Sequence, residues 1–552
     1  MKRIYKFITL ILFSGLVLNS CETTELDLTE NPNFLTPEQA NVDFFLTAIQ
    51  LRYGDFIDNI GFTGSRLVRM DVLLERNYLN AFAPVDFDDE WDDAYREVLA
   101  DIRAMQPLAT EAGQYRHLAI ANVIEADLMV TLVDYFGDVP YEEAVQAPEN
   151  LNPKLDNGED IYAAALALLD QAIINFNLDD PSSEPENDFF YNNDYDKWIK
   201  LVNTLKMKIY LQSRLVNPDA LNQFNAIVTS GDYITDTADD FEFPWGTNEA
   251  QPDNRHPSYA DNYTPTGGIT YMSNWLMNYM QESNDPRLRY YFYRQVAVMP
   301  GEGGTAPDEE SLRCSLQDAP LHYVDGGFTF CSLPNGYWGR DHGDDEGIPP
   351  DGLLRTIYGV YPAAGMFDDD RFEGVEQGLG GGGAGITPIM LASWVDFMRA
   401  EVAMINNDPG GAQQFVLDGL QKSIAKVVTF GGLDGDADLS FAPTSTDIQD
   451  YINNVNADFS AAGSDEDRWN ILSEQFWVAA FGNGTPNYNF YRRTGFPTTL
   501  QPNREPQPGG FMRSLRYPAN ALNNSSIQPR NDVTEQVFWD TNPGSPGFPV
   551  AN

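Results

Sequence analysis

Apolar residues recur at helical spacing over long stretches of this chain. Two of these stripes consist of Ile161, Ala165, Leu168, Leu169, Ala172, Ile173 and Phe176, and of Trp198, Leu201, Val202, Leu205 and Ile209. Helices that are apolar on one face and rich in alanine on the other pack as paired antiparallel hairpins. The sequence therefore predicts a mainly α fold, a tetratricopeptide-like scaffold of helical hairpins, although no fixed repeat period is visible.

A second kind of sequence interrupts this pattern. Residues 231–385 are rich in aromatic residues, Gly, Pro and Asp, and long loops in a compact protein usually carry function. Helical patterning resumes at residue 386 with ITPIMLASWVDFMRAEVAMI. We predict one structural unit with four parts: a helical scaffold over 36–230, a large irregular, ligand-facing insertion over 231–385, further scaffold over 386–492 and a Pro- and Asn-rich coil over 493–552.

The N-terminus has the pattern of an export signal. Basic residues precede the uncharged stretch Phe7 to Leu18, which as a helix would cover about 18 Å of the ~30 Å hydrocarbon core of a bilayer. The stretch is too short to span a membrane. We therefore predict a signal peptide over residues 1–20 and a tether over residues 21–35.

The segment Leu18-Asn19-Ser20-Cys21 resembles the lipobox of bacterial lipoproteins, in which the cysteine receives a diacylglyceryl group and becomes the mature N-terminus. Cys21 is accordingly the predicted lipidation site, and its acyl chains are the predicted attachment to the membrane. The alternative is an ordinary signal peptide followed by an incidental cysteine.

The chain is strongly acidic. Its formal net charge is −48, and removal of residues 1–20, which contain three basic and no acidic residues, changes the charge to −51. Such a polyanion repels phosphate backbones and anionic lipid headgroups, so neither nucleic acid nor electrostatic membrane binding is expected. Because 42% of the residues are hydrophobic and 12% are aromatic, the chain is expected to fold rather than remain disordered.

Two cysteines remain after Cys21. Cys314 and Cys331 form an even pair in an exported chain, which is consistent with a disulfide. Two buried free thiols are the alternative.

Several stretches carry a family resemblance, and they follow one another in the family's order. They are YFGDVPYEEA (135–144), DKWIKLVNTLKMKIYLQSR (196–214), NDPRLRYYF (284–292), PIMLASWVDFMRAEVAMI (388–405), SEQFWVAAFGNGTPNYNFYRRTGFP (473–497) and RYPANALNNSS (516–526). Together they resemble the SusD/RagB family of Bacteroidetes outer-membrane nutrient-binding lipoproteins, and in particular its SusD-like branch.

The resemblance implies a function and a partner. It implies a tetratricopeptide-like scaffold that lies on the extracellular side of the outer membrane, covers a SusC-like TonB-dependent transporter and passes captured oligo- or polysaccharide to it. The RagB side of the family is associated with peptides, so peptide capture is the alternative. The acidic residue of the family's "AE" helix is present as Ala400-Glu401. The insertion does not align with the family, and no ligand residue is carried over.

Catalysis has no clear signature in the sequence. The four histidines are scattered without zinc-binding spacing, and no GxSxG elbow is present. A glycoside hydrolase stays the less favoured alternative, because no acidic pair stands out among 82 carboxylates. We predict a binding protein that is not an enzyme and has no cofactor.

Calcium is the one ion that the sequence leaves open. Hard oxygen ligands cluster at Asp341, Asp344, Asp345 and Glu346, and again at Asp434, Asp436 and Asp438. Neither cluster matches an EF-hand loop, and we interpret both as solvated acidic loops.

Ligand contacts are predicted mainly within the insertion, with one secondary candidate in the earlier stretch ERNYLNAFAPVDF. A sugar ring offers an apolar face to an aromatic plane and hydroxyls to amides and carboxylates. The stretch LPNGYWGRD combines these groups, and the alternative is that its aromatics pack the loop. The predicted contacts are Tyr337 and Trp338 as a platform, Asn335, Arg340 and Asp341 as hydrogen-bonding neighbours, and Trp245 and Tyr78 as secondary candidates. Five other tryptophans on predicted helix faces are interpreted as core: Trp91, Trp198, Trp394, Trp469 and Trp477.

Overall fold

We describe the fold from a computed structural model of the chain. The structure describes residues 41–178, 184–298, 314, 317–345 and 354–549. Cys21, the predicted signal peptide and the tether lie outside these residues. Within the described ranges, no helix is both long enough and apolar enough to cross a membrane.

The first part of the scaffold is helical, as predicted. Its helices are α1 (Val42–Leu67), α2 (Asp88–Asp92), which continues through a π-helical turn (Asp93–Val98) into α3 (Leu99–Ala112), α4 (Tyr115–Phe136), α5 (Gly158–Phe176), α6 (Tyr195–Ser213) and α7 (Ala220–Ser230). Every residue of α4 from Ala119 onward is buried, so this helix forms the centre of the scaffold. Helix α5 packs lengthwise against α4, and α6 packs against α5.

The second part of the scaffold repeats this hairpin packing. Helix α12 (Ala392–Ile405) packs along α13 (Pro409–Val428). Asp408 caps α13 by accepting a hydrogen bond from the backbone N–H of Gly411, and Pro409 occupies the first helical position. The remaining helices are α14 (Ser445–Ala461), α15 (Asp465–Ala479), α16 (Thr485–Thr494) and α17 (Ala519–Asn524).

The prediction of continuous helix from residue 386 is wrong for its first residues. Ile386–Met390 form strand β4, which pairs antiparallel with strand β1 (Phe241–Pro244). All five β4 residues are buried, and the stretch contains β-branched residues and Pro388, which favour extended backbone over helix. Helix α12 therefore begins only at Ala392, and the β1–β4 pair joins the insertion to the scaffold.

The insertion is packed rather than loose. It contains helices α8 (Pro257–Asn262), α9 (Asn274–Glu282), α10 (Leu288–Tyr291) and α11 (Leu321–Gly326), and strands β2 (Phe292–Tyr293) and β3 (Ile357–Tyr358), which pair antiparallel. Most of its buried aromatics belong to the same hydrophobic core as the scaffold helices. The insertion and the scaffold thus share one main core.

Cys314 and Cys331 are joined by a disulfide, with Cα atoms 5.6 Å apart. The sequence left this pairing open against two free thiols. The bridge and Trp338 form a small cluster of their own, flanked by Val296, Phe330 and Leu354. The disulfide therefore fixes the chain at Cys331, four residues before Asn335, the first predicted ligand contact of the stretch LPNGYWGRD.

Asp71 provides a test of how the insertion is held to α1. It is 2% exposed, and the hydroxyl of Tyr358 donates to both of its carboxylate oxygens at 2.7 Å. Burial raises the pKa of Asp71 to about 7, whereas an unfolded aspartate titrates near 4. The folded chain thus keeps a proton that the unfolded chain loses, and the stability from Asp71 falls as the pH rises from about 4 to 7.

Replacing Asp71 with asparagine removes this titration. We expect the free energy of unfolding of Asp71→Asn, relative to wild type, to rise by up to about 4 kcal/mol between pH 4 and pH 8. Urea unfolding at both pH values measures the difference. Asp436→Asn is the control, because Asp436 is exposed. A difference that stays constant with pH would contradict the assignment.

Candidate functional site

A cleft of about 550 Å³ opens where the insertion meets the loop before α14. We call it the arginine cleft. The side chains that matter for its chemistry are those of Arg289, Arg294, Asn335, Tyr337, Asp370 and Phe441. They come from four separate chain segments, which the β2–β3 pair and the packing of α10 bring together.

Two arginines are held in place on the wall of this cleft. Arg294 donates from Nε to Asp368 at 2.6 Å and from Nη1 to the carbonyl of Asn335 at 2.9 Å, and it also contacts the carboxylate of Asp370. Arg289 donates to Asp370 at 2.8 Å and to the carbonyl of Asp368 at 2.8 Å. Because each guanidinium has several fixed partners, little side-chain entropy is lost when a ligand binds.

The same arginines lie over aromatic rings. The guanidinium of Arg294 is 4.8 Å from the ring centroid of Tyr337, and that of Arg289 is 5.3 Å from the ring centroid of Phe441. Phe441 is 39% exposed, whereas Tyr337 is 4% exposed. Phe441 therefore offers an open aromatic surface at the cleft, and Tyr337 forms part of its wall.

Charge in the cleft is nearly balanced. Burial alone would raise the pKa of Asp370, but the hydrogen bond and charge of Arg289, together with Arg294, hold it below its ordinary value. Burial raises the pKa of Tyr337, so its phenol stays neutral. Arg289 and Arg294 pair with Asp370 and Asp368, and Asp285, which also lines the cleft, pairs with Arg287. Asp447 adds one further carboxylate to the lining. Because both cations of the cleft are paired, it suits an uncharged ligand better than an anionic one.

Unusual backbone conformations surround these groups. Asn335 and Gly336 have φ values of 65° and 77°, as in a type I′ turn. A Cβ at Gly336 would lie 2.1 Å from the carbonyl oxygen of Val296, so only glycine fits. Asp370 and Phe372 also have positive φ, at 64° and 50°. Such conformations are costly for a residue like phenylalanine and concentrate at functional sites.

The structure brings together two of the predicted ligand residues and separates them from three others. Asn335, which is exposed, and Tyr337 line the arginine cleft, but Tyr337 is too deeply buried to act as the predicted stacking platform and forms only part of the wall. Trp338, Arg340 and Asp341 are 1%, 2% and 0% exposed, and their prediction as ligand contacts is corrected. Asp341 accepts hydrogen bonds from the Cys331 backbone and from Asn274 and Gln501, and the Arg340 guanidinium packs on the ring of Tyr271.

The two secondary candidates differ. Tyr78 is fully buried, and its hydroxyl accepts a hydrogen bond from Arg69 at 3.0 Å and contacts His342. It cannot reach a ligand, so this prediction is corrected. Trp245 is half-buried, and its indole N–H donates to Thr387 at 2.8 Å. Its prediction as a ligand contact stays untested.

The two acidic clusters do not assemble into a metal site in the part of the chain that the structure describes. Asp344 pairs with Arg504, and Asp345 pairs with Arg76. Asp434 pairs with Arg371 at 2.9 Å, and Asp438 caps the turn at Ser440. Glu346 lies outside the described residues.

Most residues of the arginine cleft were not predicted from the sequence. Arg289 lies within NDPRLRYYF, which was used only as a family motif, and Arg294 lies two residues beyond it. Asp370 and Phe441 carried no local signal, because only the folded chain places them in the same cleft.

Comparison with known proteins identifies the family. One family profile, described as "Starch-binding associating with outer membrane", matches residues 74–304, and another, described as "Susd and RagB outer membrane lipoprotein", matches residues 385–535. The chain belongs to the SusD-like family. Members of this family are described as outer-membrane lipoproteins. None of the curated proteins matches the chain.

Solved structures share the SusD-like fold. A SusD/RagB family protein from Bacteroides thetaiotaomicron VPI-5482 is 20% identical with a TM-score of 0.63, covering 91% of this chain and 100% of that one. A structure named a chitin-binding protein is 21% identical with a TM-score of 0.66 and the same coverage. A chitin-binding SusD homolog from Flavobacterium johnsoniae is 18% identical with a TM-score of 0.59, covering 90% and 99%. The predicted SusD-like helical architecture is thereby confirmed.

Proposed function

We propose that this protein captures an uncharged oligo- or polysaccharide at the outer face of the outer membrane and delivers it to a SusC-like TonB-dependent transporter. Membership of the SusD-like family supports the membrane location and the partner. Two structurally similar proteins are named as chitin-binding, which supports a glycan as the ligand.

The observation that carries the proposal is the open ring of Phe441 beside fixed polar groups in the arginine cleft. An aromatic plane can stack on the apolar face of a sugar ring, while the Arg289–Asp370 pair and the exposed amide of Asn335 can bind its hydroxyls. The near-balanced charge gives an uncharged sugar no electrostatic penalty, and the acidic surface of the protein repels anionic glycans.

We further propose that the protein is not an enzyme. Glycoside hydrolysis needs one carboxylic acid with a raised pKa and a second free carboxylate. In the arginine cleft, burial alone would raise the pKa of Asp370, but Arg289 and Arg294 lower it. The other two carboxylates of the lining are also engaged: Asp285 pairs with Arg287, and Asp447 is the N3 residue of a capping box with Thr444. Release of reducing ends from a glycan, lost when one acidic pair is replaced, would instead establish a hydrolase.

Phe441→Ala tests the glycan site. We expect the affinity for the bound glycan to fall about tenfold, because the loss of one aromatic contact costs roughly 0.5–1.5 kcal/mol beyond the loss of buried area. Affinity electrophoresis of the protein without residues 1–21 against a glycan panel finds the ligand, and calorimetry measures the change.

The matched control for that test is Phe44→Ala. Phe44 is 55% exposed on α1, and its replacement should leave glycan affinity unchanged. If the wild-type protein bound no glycan of the panel but bound peptides, the RagB-like alternative would replace the proposal.

The proposed anchor has its own test. Cells that express the protein in radiolabelled palmitate should incorporate label into the wild type and lose it completely in Cys21→Ala, because the Cys21 thiol is the predicted acceptor of the diacylglyceryl group. Accessibility of the wild-type protein to an impermeant surface label on intact cells tests the extracellular orientation. Label that persists in Cys21→Ala would contradict the anchor.

A further inference from the structure

A second cleft, of about 630 Å³, is lined by the glycine-rich segment Gly378–Gly382, the loop from Thr247 to Arg255, and Leu433. We name it the glycine cleft. We propose that it is a second subsite for the same uncharged glycan, so that the protein favours chains long enough to occupy both clefts. This inference rests on the function proposed above.

Backbone hydrogen bonds hold the two sides of the glycine cleft together. The N–H of Trp245 donates to the carbonyl of Gly385 at 2.9 Å, and the N–H of His256 donates to that of Gly383 at 2.9 Å. The N–H of Gly383 donates in turn to Ala364 at 3.3 Å. The cleft is therefore a built feature of the insertion, with both rims joined at their bases.

The glycine-rich rim leaves backbone open to a ligand. A Cβ at Gly378 would meet no atom within 4 Å, and one at Gly382 would meet only the Thr247 side chain, at 3.5 Å. The N–H of Gly378 donates to the hydroxyl of Tyr259, which also lines the cleft, and the N–H of Gly381 donates to the carbonyl of Gly365. Sugar hydroxyls can therefore approach the rim most directly at the peptide groups around Gly382, where no side chain projects. Side chains around the rim could not be added without narrowing the cleft.

The remaining lining combines polar groups with an apolar contact. Thr247, Glu249 and Gln377 are exposed and offer hydroxyl, carboxylate and amide groups, and Leu433 is 41% exposed. Arg255 is committed to Asp253, with its Nη2 atom 2.7 Å from the carboxylate. The carboxylate of Glu249 thus gives this cleft an acidic character, which disfavours an anionic polymer and is compatible with an uncharged one.

Both clefts share one wall. The segment 366–382 reaches the arginine cleft at Asp370 and the glycine cleft at Gln377, and the segment 433–441 places Leu433 in one cleft and Phe441 in the other. These two segments are tied together: Arg371 donates to Asp434 at 2.9 Å, the Phe367 N–H donates to Asp434 at 2.9 Å, and the Asp438 N–H donates to Asp369 at 2.8 Å.

The shared wall limits the distance between the clefts. Gln377 is the seventh residue after Asp370, so even a fully extended chain would place their Cα atoms at most about 25 Å apart. A single oligosaccharide can bridge such a distance. Once one end is bound, the other end is at high effective concentration for the second cleft, and affinity rises steeply with chain length without any new contact in the first cleft.

Thr247→Trp tests the inference, because it fills the glycine cleft from an exposed position and leaves every glycine in place. The probes are chitobiose and chitohexaose. If another glycan of the panel retards the wild-type protein in affinity electrophoresis, its disaccharide and hexasaccharide are used as well. We expect calorimetry to show hexasaccharide affinity reduced about tenfold or more, with disaccharide affinity changed less than twofold. The double variant Leu433→Ala/Gln377→Ala should also lower hexasaccharide affinity more than disaccharide affinity, and its circular dichroism spectrum should match that of the wild type.

The outcomes are distinguishable. Equal losses for both chain lengths, or no loss for either, would overturn the second subsite while leaving the proposed function standing. A wild-type protein that binds no glycan of any length would overturn both proposals. Phe441→Ala, in the arginine cleft, should lower the affinity for both the disaccharide and the hexasaccharide. It therefore reports on that cleft separately.

Discussion

Glu401→Ala is expected to lower the free energy of unfolding by about 3–5 kcal/mol, the loss typical of breaking a buried ion pair by removing one partner. Glu401 is 1% exposed on α12. Its carboxylate accepts hydrogen bonds from Arg493 at 2.8 and 2.6 Å and from Arg214 at 3.2 Å. Without the carboxylate, two buried guanidinium groups would face each other uncompensated.

Urea unfolding monitored by circular dichroism measures this loss, and Arg96→Ala is the control. Arg96 pairs with Asp92 at the surface and its side chain is 69% exposed, so its replacement should cost no more than about 1 kcal/mol. Glu401→Gln keeps the side-chain volume and some hydrogen bonds, so its loss in free energy of unfolding should lie between those of Glu401→Ala and Arg96→Ala. A loss below about 1 kcal/mol for Glu401→Ala would contradict the structural role.

This network explains why an acidic residue belongs at this place in the "AE" helix. Arg214 follows directly after α6 and Arg493 lies near the end of α16, so Glu401 joins three helices of the two scaffold parts. Burial alone would raise the pKa of Glu401, but the charge of Arg493 and of Arg214 lowers it. The carboxylate therefore stays charged, and its role is architectural.

Trp338→Ala is expected to destabilise the protein by about 3–5 kcal/mol, the usual cost of removing a large buried aromatic side chain. Trp338 is 1% exposed and packs against the Cys314–Cys331 disulfide, and its backbone N–H donates to Thr356 at 2.8 Å. Thermal unfolding measures the loss. Below the unfolding transition, glycan affinity should change little, because Trp338 does not line the arginine cleft.

Trp338→Phe is the matched variant for this test, since it keeps an aromatic ring in the cluster and should cost less than the alanine variant. A variant with unchanged stability and lost glycan affinity would contradict the packing role and restore Trp338 as a ligand contact. The result thus separates the two interpretations that the sequence LPNGYWGRD allows.

Helical periodicity was sufficient to predict the scaffold, because a buried helix must repeat its apolar residues every three to four positions. Four of the five tryptophans assigned to helix faces are buried, namely Trp91, Trp198, Trp394 and Trp477, and Trp469 is partly buried against the same core. Strand β4 was mistaken for helix, since a short, wholly buried apolar run shows neither the helical nor the alternating strand periodicity.

The ligand-facing surface could be predicted only in part. The residue types of LPNGYWGRD predicted Asn335 as a hydrogen-bonding neighbour, and the turn at Asn335-Gly336 does place it at the arginine cleft. Composition could not tell which neighbour of that turn faces outward, because Tyr337 and Trp338 are both large aromatics in an irregular segment. Their directions depend on contacts with the disulfide and with Arg294, which come from elsewhere in the chain.

Local patterns of the chain thus determine what depends on neighbouring residues: the helical scaffold, the predicted export signal, the predicted anchor at Cys21 and the resemblance to SusD-like proteins. The two clefts depend instead on residues far apart in sequence, such as Arg289 and Phe441 or Thr247 and Gln377. Their positions follow from packing and from long-range ion pairs such as Arg371–Asp434. Such contacts leave no periodic trace in the sequence, since any exposed arginine or phenylalanine would look the same before folding.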